Sequence, residues 1–241
     1  MTGSGRVLWV TGAGSGMGRA AAVAAARGGR RVALSGRRED ALTETGRLVD
    51  EAGGQGLVLP MDTNDAAAVT AAHERIGATW GGVDDLVLSA GLNDPRRSWA
   101  DQSVDTFEAI VATNLTGVVR LVDATLPDLR RSGGQVVVVS SFSGWRFSPG
   151  AGVAYSASKT ALTAVCQTLN ASEAGHGVRA CHLCPGDVDT EFLALRPAVP
   201  DADARAKMLT PDDVARAVLF VLDSPAHVRI DELVLSPVSQ T

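Results

Sequence analysis

Short apolar runs alternate along the chain with longer stretches whose apolar positions recur at helical spacing. Seven runs read as strands: 7–11, 31–35, 56–60, 85–89, 135–140, 178–184 and 232–235. Between them, 16–27, 39–52, 66–76, 104–130, 154–174 and 211–223 are Ala-rich or amphipathic and read as helices. Such alternation predicts the α/β class, with a parallel sheet covered on both faces. Val136-Val137-Val138-Val139 is continuously apolar, as a central strand buried on both sides should be. Right-handed crossovers then make the sheet doubly wound. No linker, repeat or low-complexity block interrupts the pattern, so 1–241 reads as one domain. The longest irregular stretch, 187–210, holds Pro197 and Pro200 and reads as a mobile flap over a substrate.

Composition narrows the partners. The 241 residues are 45% apolar and carry a net charge of −5 with acids and bases dispersed. Nothing resembles the basic stripe of a nucleic-acid binder. No apolar run approaches the length of a bilayer span. The first ten residues hold one Arg and only a short apolar stretch, unlike a secretory leader. A cytoplasmic protein that binds neither nucleic acid nor membrane is expected. Cys181 and Cys184 have C-x-x-C spacing, but in a run that reads as a strand, where residues three apart face opposite sides. No second pair completes a metal site, so structural thiols and no metal are expected.

The first strand runs into Thr11-Gly12-Ala13-Gly14-Ser15-Gly16-Met17-Gly18, and an Ala-rich helix follows. Strand, glycine turn and helix place a pyrophosphate on a helix N-terminus, as in Rossmann-type sheets. No G-x-x-x-x-G-K-[ST] is present, which excludes an NTPase loop. A G-x-G-x-x-G begun at Gly12 fails at Met17. The spacing that fits is Thr-Gly-x-x-x-Gly-x-Gly, through Gly12, Gly16 and Gly18, with Ser15 and Met17 in the same turn. After the second strand, Gly36 stands where an acid would hold a ribose 2′-hydroxyl, and Arg37 follows. An Arg there accommodates a 2′-phosphate, so NADP(H) is expected over NAD(H).

Tyr155 and Lys159 stand four apart at a helix start and project from one face. An ammonium beside a phenol favours the phenolate, which suggests acid/base work at an oxygen. With Thr11-Gly12-x-x-x-Gly16-x-Gly18, Asn114-Leu115-Thr116-Gly117, Ser140-Ser141 and Pro185-Gly186-Asp187-Val188-Asp189-Thr190, the whole chain resembles the short-chain dehydrogenase/reductase family in its compact single-domain branch. The resemblance implies a hydride transfer between nicotinamide and a carbonyl/alcohol pair. It makes Tyr155 the proton donor or acceptor. Lys159 would lower the tyrosine's pKa and hold the nicotinamide ribose, and Ser141 would steady the substrate oxygen. Asn114 would hold a relay water. Pro185, Gly186, Val188 and Thr190 would lie along the nicotinamide, Asp62 would meet the adenine, and Ala90 and Gly91 would approach the adenosine side. A homodimer or homotetramer built through 104–130 and 154–174 is also implied.

Two positions depart from the family pattern. Phe142 occupies the usual serine position, thirteen before the tyrosine, so Ser141 is preferred with Ser140 and Ser143 as alternatives. Ser89 replaces the Asn of an Asn-Ala-Gly. Of the chain's 5 Phe and 4 Trp residues, five fall in the loops 93–99, 142–147 and 191–195 expected to build the pocket: Trp99, Phe142, Trp145, Phe147 and Phe192. Phe142, Trp145 and Phe192 are the favoured substrate contacts, suiting an apolar or aromatic carbonyl compound. Arg96, Arg97, Arg146 and Arg196 in the same loops could pair with a substrate carboxylate. The C-terminal part resembles the branch holding serine and 3-hydroxy acid dehydrogenases, which favours a small hydroxy acid instead. A non-catalytic NADP(H)-sensing protein on the same fold is the rival from another class.

Overall fold

Seven parallel strands in the order β3-β2-β1-β4-β5-β6-β7 form the sheet of the computed structural model, which describes residues 5–240. The strands are β1 Val7–Thr11, β2 Arg31–Gly36, β3 Gln55–Pro60, β4 Asp85–Leu88, β5 Gln135–Val139, β6 Arg179–Pro185 and β7 Glu232–Leu235. The order reverses between β1 and β4, which creates the crevice where ligands of such sheets bind. The α/β, doubly wound expectation is met.

Two core layers follow from the period of two along each strand. Val137, Val139, Leu8 and Val10 pack on one face. There they meet α1 (Gly16–Arg27), α2 (Glu39–Glu51) and α9 (Pro211–Leu222). Val136, Val138, Val7 and Trp9 pack on the other. There they meet α3 (Ala66–Trp80), α5 (Gly117–Ser132) and α7 (Val153–Ser172). The valine run is continuously apolar because each of its faces has a helix layer. Ala21, Ala22, Ala25 and Ala26 of α1 are fully buried, so small side chains let helix and sheet approach closely.

Several boundaries differ from the sequence reading. β4 and β5 close one residue early, leaving Ser89 and Ser140 in the loops at the carboxyl edge. The helix expected over 104–130 is α4 (Val104–Val111) and α5 joined by a π-helical turn at Ala112–Thr116. By length and composition Val104–Ser132 could cross a membrane, contrary to the expectation of no such stretch. In the fold its Ile110, Leu121 and Leu129 are buried core. The 187–210 stretch is not irregular throughout. It holds a 3₁₀ turn at Glu191–Leu195 and α8 at Ala202–Arg205, and a bridge between Val188 and Leu209 ties its ends together. Cys181 and Cys184 do lie on opposite faces. Cys181 joins the α1/α9 layer, whereas Cys184 Sγ sits 3.3 Å from His182 Nδ1, which sits 3.1 Å from Glu232 Oε1. Burial pushes both thiols up to about 12, which keeps them protonated at neutral pH.

Candidate active site

The carboxyl ends of the strands open into one continuous cleft with three parts. At one end Gly12, Ser15, Arg37, Arg38, Asp62, Ala90 and Gly91 line a cavity beside β1 and β2. In the middle Gly16, Met17, Lys159 and Thr190 join that wall to Tyr155. At the other end a cavity of about 510 Å³ holds Ser141, Phe142, Tyr155, Pro185, Gly186, Val188 and Phe192.

The glycine turn is shaped by backbone necessity. Gly12 has φ +64°, and a Cβ there would stand 2.8 Å from the backbone of Ser89 and Ala90, so the first turn tolerates no side chain. Gly18 does not line the cleft, contrary to expectation. Its added Cβ would fall 2.3 Å from the Gly12 carbonyl oxygen, so its role is close packing of α1 on the turn, as for the last glycine of a dinucleotide fingerprint. Arg38, which the sequence reading passed over, donates to Ser15 Oγ at 3.2 Å and to Glu191 Oε2 at 3.3 Å. It stands beside Arg37 at the cavity wall. No spacing rule marked it, because it only follows Arg37 at the head of α2.

Tyr155 and Lys159 both start α7, one turn apart, and reach the same cleft. Lys159 is 4% exposed and its Nζ donates to the Val139 carbonyl at 3.0 Å. An ammonium has three donors, and Val139 is its one protein partner among the described residues. Burial pulls Lys159 down to about 8. Tyr155 behaves differently from expectation. Burial raises its phenol above the ordinary value, while the nearby Ser141 hydroxyl and the charges of Arg97 and Arg196 pull the other way. Lys159 does not set this balance; its Nζ lies 5.7 Å from the ring centroid. The phenol is therefore protonated at neutral pH.

The three serines separate by geometry. Ser141 caps α6 (Phe142–Trp145), accepting from the Ser143 amide at 3.2 Å, and lines the same cavity as Tyr155. Ser140 also borders the cleft, but its hydroxyl donates to the Lys159 carbonyl at 3.2 Å. Ser143 contributes its amide to the Ser141 cap. Asn114 sits in the π turn, a distortion common at functional sites. Its Oδ1 accepts from the Leu92 amide at 2.7 Å, and its Nδ2 donates to the Leu92 carbonyl at 2.9 Å and to Ser158 Oγ at 3.1 Å. Asn114 thus clamps the β4 loop to α7 behind the cleft wall, with one Oδ1 lone pair left.

Phe142 and Phe192 line the substrate end, and the Phe192 ring lies 6.2 Å from that of Tyr155. Trp145 does not line it. It packs edge-on against Phe142 with the Arg146 guanidinium 4.2 Å from its centroid, because α6 turns it outward. Trp99 and Phe147 are 88% and 83% exposed. Gln240, near the C-terminus, folds back into this cavity and accepts from the Asp187 amide at 2.8 Å. No local motif announced it, since the contact spans more than fifty residues.

The residues fit a dinucleotide. A Cβ on Gly91 would lie 3.7 Å from Asn114 Oδ1 and 3.8 Å from Lys159 Nζ, so that glycine keeps a groove open past a buried ammonium with donors to spare. The sequence model of the short chain dehydrogenase family matches residues 6–198. The chain belongs to this family. The fold of this dehydrogenase is shared by an alcohol dehydrogenase from the archaeon Thermococcus sibiricus complexed with 5-hydroxy-NADP. The two are 34% identical with a TM-score of 0.88, and the match covers 98% of each chain. It is also shared by a closed form of serine dehydrogenase complexed with NADP+, at 30% identity and TM-score 0.86, covering 98% of this chain and 96% of that one. The glycine betaine reductase ATRR of Emericella nidulans is 35% identical over 97% of this chain, which spans 19% of that protein's length. The protein is an oxidoreductase of the short chain dehydrogenase family.

Proposed function

We propose that this dehydrogenase interconverts a carbonyl compound and its alcohol with NADP(H), using Tyr155 as the general acid/base. The observation that carries the reading is the meeting of a protonated Tyr155, Ser141 and a buried, under-partnered Lys159 at the wall of one cleft. When bound, the nicotinamide supplies or accepts the hydride. Tyr155 gives its proton to the carbonyl oxygen in reduction and takes one back in oxidation. Ser141 donates to the same oxygen and steadies the charge that develops on it. Lys159 would hold ribose hydroxyls with its free donors. Asn114 fixes the β4 loop against α7 and offers its remaining lone pair to a water linking Lys159 to solvent. Pro185, Gly186, Val188 and Thr190 line the cleft and would flank the nicotinamide.

NADP(H) is favoured by the charges at the far end of the cleft. Arg37 and Arg38 both line it with Asp62, Arg38 is shared with Glu191, and a pair of adjacent cations suits a 2′-phosphate. The alcohol dehydrogenase and serine dehydrogenase neighbours were solved with 5-hydroxy-NADP and NADP+, in line with this choice. A serine- or 3-hydroxy acid-type substrate is the second reading, supported by the likeness to serine dehydrogenase. Assembly into a homodimer or homotetramer through Val104–Ser132 and α7 belongs to the same proposal, and the exposed Val104 and Val119 suit such a contact.

The test is oxidation of NADPH and of NADH across aromatic ketones, small aldehydes and 3-oxo acids, with Tyr155→Phe as control. Turnover that prefers NADPH and vanishes in the variant is expected. Tight NADPH binding without turnover on any carbonyl would favour the non-catalytic sensing alternative.

A further inference from the structure

The substrate end of the cleft carries a charge that the hydride-transfer chemistry does not use. Arg97 and Arg196 both line the cavity that holds Ser141 and Tyr155, and Asp187 is the one carboxylate on that wall. Asp187 is already paired with Arg196. Arg97 forms no ion pair among the described residues. Its Nε donates to the Asp94 carbonyl at 2.9 Å and its Nη1 to the Gly150 carbonyl at 3.2 Å, while Nη2 reaches the Leu195 carbonyl. Three backbone carbonyls from three loops therefore hold the guanidinium in place without cancelling its charge, and two of its five N–H donors remain.

The backbone of a neighbouring loop passes close to the start of that side chain. Gly152 has φ +88°, and a Cβ added there would stand 2.5 Å from Arg97 Cβ. Arg97 also holds its proton less firmly than usual, first through burial and then through repulsion from Arg196. Both arginines stabilise charge on the Tyr155 phenol, so they stand near the reacting atoms. An unneutralised, pre-positioned fork in a pocket with excess positive charge is a site for a planar anion.

We propose that the substrate of this site carries a carboxylate that docks on Arg97, which makes it an oxo acid or a carboxylate-bearing aldehyde and its product the corresponding hydroxy acid. The assignment rests on the hydride-transfer reading of the same cleft. Phe142, Phe192 and Leu193 supply an apolar wall in that cavity of about 510 Å³, within the usual range for small-molecule pockets. An acid with an apolar body therefore satisfies both the aromatic and the basic residues, which pull towards different substrates when read from sequence alone. Arg196 takes up Asp187, the one carboxylate on that wall, in an ion pair.

The decisive experiment compares matched acids and esters. NADPH-dependent kcat/KM is measured for 4-oxo-4-phenylbutanoate and succinate semialdehyde beside their methyl esters. Wild-type protein is expected to favour the acids about 10- to 100-fold, the range of a charge-assisted pair. In Arg97→Met the acid-to-ester ratio should collapse towards one, and Arg97→Lys should restore part of it. Esters matching acids in the wild type, a comparison that needs no variant, would overturn the proposal. So would an unchanged ratio in Arg97→Met. Should no carbonyl be reduced at all, the hydride-transfer reading fails separately. The anion site is then judged by titrating NADP+-loaded protein with 4-phenylbutanoate and 4-phenylbutanamide, where equal affinities would refute it.

Discussion

The two ends of the cleft are built differently. The cofactor end is made of turns that leave rigid strands, and its key positions answer to backbone geometry. Gly12 must lack a side chain because Ser89 and Ala90 press against it. The substrate end is made of loops, 93–99, 142–152 and 186–198, with Gln240 returning from the C-terminus. There the chemistry depends on which side chains the loops turn inward. Phe142 and Phe192 point in, whereas Trp99 and Phe147 remain in solvent. A motif is readable where the backbone compels the residue, and much less so where a loop path chooses it.

Tyr155 tests whether chemistry is confined to the boundary between the two ends. Tyr155→Phe should lower kcat about a thousandfold or more, in the range of a general acid, while NADPH affinity changes less than about twofold. Single-turnover kinetics with a fluorescence titration of NADPH separates the two effects. A variant that kept most of its turnover would move the proton donor elsewhere.

The cofactor end should answer to charge alone. Arg37→Ala is expected to raise KM for NADPH by about 10- to 100-fold, as for loss of a charge-assisted hydrogen bond, with little change for NADH. Arg38→Ala should do the same more weakly, because its side chain is shared with Ser15 and Glu191. Equal losses for both cofactors would remove the 2′-phosphate assignment.

A pH profile probes the middle of the cleft. Lys159 titrates at about 8, so it is charged below that pH and neutral above it. Reduction should therefore lose kcat/KM as pH rises through about 8, approaching tenfold per unit above it. Tyr155 is raised above its ordinary value and stays protonated through this window, so the loss belongs to the lysine. Oxidation needs the phenolate and should gain with pH. Lys159→Met should flatten the step near pH 8, and a step that persisted would assign it to another group.

The smallest effect is expected at the outer loops. Trp99→Ala and Trp145→Ala should change kcat/KM for a small carbonyl substrate by less than about twofold, since neither lines the cavity. A tenfold loss would show that the loops close differently around a substrate.

Much of the fold was legible in the chain. All seven strands lie where the apolar runs put them, most plainly β1, β4 and β5, where every residue is buried and a strand covered on both faces reads as a near-continuous apolar run. Boundaries slipped by a residue or two, since the ladder ends where hydrogen bonding ends and not where hydrophobicity does. The π turn at Ala112–Thr116 left no trace in the pattern. Gly18 was read as a cofactor contact because it completes the spacing, yet its neighbour is the Gly12 carbonyl. Among the serines, sequence offered three within four residues, and only the fold commits the Ser140 hydroxyl to the Lys159 carbonyl and sets Ser141 at the head of α6 on the wall it shares with Tyr155.

By itself the sequence determined the doubly wound sheet, the glycine turn at its first crossover and the pairing of Tyr155 with Lys159, because strand period, turn sterics and helical spacing are local rules. The tertiary structure alone decided the protonation of Tyr155 and Lys159, the outward turn of Trp145 and the unpaired Arg97 beside the reacting atoms. Those depend on burial and on charges brought together from distant loops, and such distances exist only once the chain has folded.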